Sequence, residues 1–184
     1  MKRRTIVISA TFYSVLVIII LSLAKNIFNT IEVEGISMNP TYTEGDKLLI
    51  QTKFKDIKRN DVIIYETKSD EDITYIIKRV IGIPGDTIYI DDNNTVYVND
   101  KPFDDTYGYY DDNEGYETNI TYTLSDNEYF TLGDNRNHSI DARATGNISK
   151  DRIIGTVLFR YKKNKWPKLY NFLILYNTFF PLLL

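Results

Sequence analysis

The 184-residue chain contains no cysteine and a single histidine, His138. The first absence excludes disulfides, thiolate metal sites and a cysteine nucleophile, and it leaves the redox compartment open. The second all but removes histidine-based metal clusters. Neither sign of charge dominates. With 22 basic and 25 acidic side chains the formal net charge is −3, so there is no broad basic surface for nucleic acid. Helical periodicity is also missing from Glu44 to Gly155, which argues against alternating strands and helices.

What is present falls into segments. Lys2, Arg3 and Arg4 precede an apolar run from Thr5 to Ala24. Such a run, at about 1.5 Å per residue, matches a hydrocarbon core of about 30 Å. The expectation is a cytoplasmic stub over 1–4, a transmembrane anchor over 5–24, and the remainder outside the cytoplasm, because basic clusters stay inside. Ser22-Leu23-Ala24 also fits a small-x-small cleavage site, but the run is longer than a usual signal core, which favours an uncleaved anchor.

From 25 to 161 the texture is that of short strands. Leu48–Ile50, Val62–Tyr65, Tyr75–Ile77, Tyr129–Leu132 and Ile153–Tyr161 are apolar runs between polar breaks. Thr87–Ile90 and Thr95–Val98 flank Asp91-Asp92-Asn93-Asn94, the pattern of a hairpin with a four-residue loop. The expected fold is mainly β, an antiparallel sheet domain behind one N-terminal membrane helix. Lys101–Ser125 reads as a solvated loop or a long hairpin tip on the surface. Its carboxylates (Asp104, Asp105, Asp111, Asp112, Glu114) lack the fixed spacing of a calcium loop. The tail, 162–184, is basic and then apolar, with Trp166 at the join. It suits a membrane interface, packing on the domain, or a second span.

Three clusters carry chemistry. Ser37 lies in Gly35-Ile36-Ser37-Met38-Asn39-Pro40. Gly35 lets a peptide backbone approach and Pro40 stiffens the turn, although a serine in such a setting is also an ordinary turn former. Lys78 interrupts the apolar run Tyr75–Ile83. Buried there it would lose affinity for its proton and could serve as a base; on an edge it would simply face water. Gly133-Asp134-Asn135-Arg136 continues to Ser139, Asp141 and Arg143, either as a polar turn or as a hydrogen-bonded platform under a site.

In this order, behind an anchor, the three clusters resemble the serine, lysine and Gly-Asp-Asn-Arg boxes of the bacterial type I signal peptidases, Gram-positive members in particular. The resemblance covers the anchor and nearly all of 31–161, including Pro84-Gly85-Asp86 and the hairpin that follows. It implies Ser37 as nucleophile, Lys78 as general base with Arg79 beside it, and Ser139 hydrogen-bonded to Lys78. It further implies Asp141 and Arg143 as a supporting ion pair. Gly35 stands where some members carry a serine that donates to the oxyanion, so backbone N–H groups, that of Ser37 among them, would take this task. Ala142 replaces a serine usual between the Asp and the Arg. Signal peptides of secreted preproteins, bound as extended strands and cut after small-x-small sites, are the implied substrates. The lipid bilayer is the other implied partner, with no nucleic acid, no cofactor and no metal. His138 is expected to be structural or exposed. A self-cleaving Ser/Lys regulator and a non-catalytic membrane-tethered β domain are the alternatives.

Overall fold

A computed structural model describes residues 2–25, 27–52, 56–69, 72–110 and 118–161, with side chains within α1 described at 11–22 and Lys25. The tail expected over 162–184 lies outside the described residues. Helix α1 runs Lys2–Lys25. The apolar side chains described along it point outward: Tyr13 is 64% exposed and Ile20 54%. Among the described residues no helix is long and apolar enough to cross a membrane. The described side chains of α1 are too few to span one, so the expected anchor over 5–24 still rests on the sequence.

The rest is antiparallel β structure. Strands β1 (Phe28–Glu32), β2 (Lys47–Gln51), β3 (Val62–Ser69) and β4 (Asp72–Gly82) are followed by β5 (Thr87–Ile90), β6 (Val96–Val98), β7 (Lys101–Pro102) and β8 (Ile120–Thr123). Strands β9 (Glu128–Leu132), β10 (Ile148–Ser149) and β11 (Ile153–Tyr161) complete the set. They form a seven-stranded sheet in the order β1-β2-β11-β3-β4-β9-β10 and a four-stranded sheet in the order β7-β6-β5-β8. The expected mainly antiparallel β architecture is what the chain adopts.

Two sequence features set this arrangement. The β5–β6 hairpin turns where expected: Asp91 Oδ1 accepts from the N–H groups of Asn93 and Thr95, and Asn94 takes the left-handed φ of 62° that asparagine tolerates. Alternation does the rest. In β5 and β6, Ile88, Ile90, Val96 and Val98 all face one core with Ile81, Phe130 and Leu132, which fastens the small sheet to the large one. Each such side chain contributes about 1.5–3 kcal/mol on burial.

Strand β4 lies deepest for chemistry. It pairs with β3 from Ser69↔Asp72 to Val62↔Arg79 and with β9 on its other side, so residues 77–81 are buried between neighbours. Lys78 therefore enters the protein from a central strand and not from an edge.

The reading of 101–125 as a wholly solvated loop needs correction. This stretch contains β7 and β8, and Asp105 does not face solvent alone: its carboxylate clasps Arg136, which is 1% exposed. The tyrosines and acidic residues of this segment masked the short alternation of Ile120-Thr121-Tyr122-Thr123. Asp111, Asp112 and Glu114 lie outside the described residues.

Candidate active site

The serine segment follows β1. Val33 and Met38, 2% and 1% exposed, plug into a core with Leu48, Val62 and Ile77, and this anchors both ends of the turn. Gly35 between them has a φ of +75°, the left-handed region that favours glycine, and a β-carbon there would meet open space. Ser37 is thereby held between exposed Ile36 and buried Met38. Asn135 fixes it from the other side: the Asn135 N–H donates to Ser37 O at 3.0 Å and its Nδ2 donates to Ile36 O at 3.2 Å.

Lys78 reaches the same place from β4. Its Nζ lies 2.8 Å from Ser37 Oγ and 3.0 Å from Ile77 O, although 41 positions separate serine and lysine in sequence. The side chain is 3% exposed. Burial brings its pKa from 10.5 down to about 8, against the carboxylates of Asp141 and Asp134, which pull it back up. Arg79, the neighbouring cation, could be thought to assist this depression. It does not, because its guanidinium is taken by Asp134 through Nε at 2.7 Å and Nη2 at 2.6 Å, and lies over the Tyr107 ring at 3.7 Å. The neighbouring cation thus arrives already neutralised.

The third cluster forms a platform beneath these two. Asp141 accepts from Gly133 N–H at 2.9 Å and from Arg143 Nε and Nη2, both at 2.8 Å. It also caps the one-turn helix α2 (Ala142–Thr145). The expected Asp141–Arg143 ion pair is present, with side-chain exposures of 0% and 6%. Arg143 Nη2 passes the linkage on to Arg136 O at 2.7 Å. Ala142 is fully buried in the core below.

One expected contact is not made. Ser139 Oγ is buried and has no hydrogen-bond partner among the described residues, so it does not bond Lys78. Instead the lysine amine turns to Ile77 O, and Ser139 packs under Gly133. His138 is exposed, as expected. Asp134 and Asn135, named only as members of the third cluster, and Asp105, named only as a loop carboxylate, also shape the site, and sequence assigned none of them a partner. Their partners lie 55, 99 and 31 positions away, and no local pattern announces such pairs.

A hydroxyl hydrogen-bonded to a desolvated amine, on a rigid polar platform, is an arrangement suited to a serine hydrolase that uses lysine as its base. Comparison with known proteins agrees in class. The family model for signal peptidase, peptidase S26, matches residues 4–162. Signal peptidase I V of Bacillus subtilis (strain 168) is 33% identical over 155 residues, 77% of this chain and 90% of the relative. Signal peptidase IB of Staphylococcus aureus (strain Mu50) is 32% identical over 168 residues, covering 82% and 84%. The crystal structure of a signal peptidase I from Enterococcus faecalis V583 is 30% identical, covers 56% of this chain and 98% of that one, and superposes with a TM-score of 0.46. The chain belongs to the S26 signal peptidases, as a bacterial type I member, and is therefore a peptidase.

Proposed function

We propose that the protein removes N-terminal signal peptides from secreted preproteins by Ser/Lys acyl-enzyme hydrolysis, with Ser37 as nucleophile and Lys78 as general base. The observation that carries this reading is the 2.8 Å contact between Lys78 Nζ and Ser37 Oγ, made by a lysine that is 3% exposed. Neutral Lys78 takes the Ser37 proton as Oγ attacks the scissile carbonyl. The resulting ammonium then protonates the leaving amine. A water then gives a proton to Lys78 as its oxygen attacks the acyl carbonyl, and the ammonium returns that proton to Ser37 Oγ as the acyl C–O bond breaks. Asp141, Arg143, Arg79 and Ser139 support this pair without touching the reacting atoms.

The anchor and its orientation belong to the same proposal. Helix α1 has about 36 Å of length at the usual rise, and its described apolar side chains face outward, a surface suited to lipid. Arg3 and Arg4 at its start favour a cytoplasmic N-terminus, which puts the peptidase domain on the far side of the plasma membrane. Enzyme and substrate would then share one membrane, which raises their effective concentration. Cleavage after small-x-small sequences completes the reading.

The test is incubation of the purified full chain with a preprotein, followed by mass-spectrometric mapping of the cut. A single cut after a small-x-small site, absent with Ser37→Ala, is expected. Unchanged cleavage by Ser37→Ala, or no cleavage by the parent, contradicts it.

A further inference from the structure

The peptide between Ile36 and Ser37 is held by its carbonyl. Ile36 O accepts from Asn39 N–H at 3.0 Å and from Asn135 Nδ2 at 3.2 Å. The peptide is trans, so its N–H points opposite to that carbonyl. With Ile36 O fixed toward Asn135, the Ser37 N–H is fixed facing away, and it has no acceptor among the described residues. Asn135 Oδ1 is likewise without a partner among them, so the amide is turned with its donor edge to Ile36.

Asn135 is itself braced on both sides. Asp134 is clasped by Arg79, and Arg136 by Asp105. Tyr109 N–H donates to Asp134 O at 2.7 Å, and Arg136 N–H donates to Tyr109 O at 2.9 Å. Residues 134–136 thus make a short rail with Tyr109 on one edge and Ser37 on the other.

We propose that Asn135 is a positioning residue for peptide hydrolysis, aiming the Ser37 N–H at the oxyanion that forms on the scissile carbonyl. The inference rests on Ser37 being the nucleophile. A donor fixed before the reaction begins stabilises developing charge without reorganising, and misaiming it costs rate in the transition state and not in substrate binding.

The test uses the full chain in detergent with a signal-peptide-derived fluorogenic peptide, and a peptide boronic acid as the tetrahedral mimic. Asn135→Ala and the near-isosteric Asn135→Asp both remove the donor. Each is expected to lower kcat by about 10–100-fold with KM within about twofold, and to weaken the boronate by the same factor as kcat/KM. The Asn135→Ala pH profile should keep the parent's midpoint, because the change does not act on Lys78. An unchanged kcat, a loss confined to KM, undiminished boronate affinity, or a shifted Asn135→Ala midpoint would overturn the inference. So would loss of the fold in both variants, which would make Asn135 a folding residue. Failure of the underlying reading shows separately, as activity retained by Ser37→Ala, and the inference falls with it.

Discussion

Ser139 and Gly133 share one small space. A β-carbon on Gly133 would stand 2.1 Å from Ser139 Oγ and 2.5 Å from the Ser37 carbonyl oxygen. The glycine that opens the third cluster is there because the Ser37 backbone and the buried Ser139 leave no room for a methyl group. Gly133→Ala is therefore expected to cost about 1–3 kcal/mol of stability and to displace Ser37 from Lys78, with most activity lost. Adding Ser139→Gly should restore part of the stability but little of the activity, since the Ser37 carbonyl is backbone and cannot be trimmed. Thermal melting and peptide cleavage check both; a fully active Gly133→Ala would contradict the packing account.

Lys78 should be a stability liability. Held at about 8 instead of 10.5, the buried amine binds its proton less tightly by on the order of 3 kcal/mol, and at pH 7 the folded protein bears that cost. Lys78→Met is expected to melt higher than the parent at neutral pH while losing cleavage. The sign follows from proton counting: between pH 8 and 10.5 the unfolded chain binds more protons, so the parent gains stability as pH rises and the advantage of Met shrinks. Melting curves across that range test it. A stability difference that does not change with pH would contradict a depressed lysine.

Asp141 acts on Lys78 as well as on the platform. Its charge raises the affinity of Lys78 for the proton, second only to the opposing effect of burial. Asp141→Asn should therefore move the alkaline midpoint of activity downward. It should also destabilise the protein, by up to about 3–5 kcal/mol, because the buried Arg143 loses the charge of the Asp141 carboxylate. A rise in the midpoint would show that Asp141 does not act on Lys78 through its charge.

The sequence announced the strands that bury one full face. Val62–Tyr65, Tyr75–Ile77, Thr87–Ile90 and Tyr129–Leu132 all lie within observed strands, because their apolar runs answer to a core. It did not announce β1, whose Phe28–Glu32 is almost wholly exposed and so shows no apolar face to a core. Nor did it announce β8, where Ile120 and Tyr122 alternate with threonines for only four residues. For the site, the boxes pointed to Ser37, Lys78, Asp141 and Arg143 through resemblance. The pairing of Arg79 with Asp134 depends on how β4 meets β9, and that of Arg136 with Asp105 on a loop folded back over the platform. Both are tertiary facts with no local pattern. The Ser139 contact failed for a similar reason: a motif can imply that two residues are neighbours, but the lysine amine chose the Ile77 carbonyl within its own strand.

The most direct measurement of the central claim is kcat/KM against pH for the parent, Lys78→Arg and His138→Ala. With Lys78 as base the parent should gain activity through one deprotonation near pH 8, the value that burial gives this amine. Lys78→Arg should be nearly inactive at every pH, because a guanidinium keeps its proton throughout the range. His138→Ala should reproduce the parent's profile. A parent profile centred near pH 6.5 and abolished by His138→Ala, or near-normal turnover by Lys78→Arg, would contradict the assignment of Lys78 as the base.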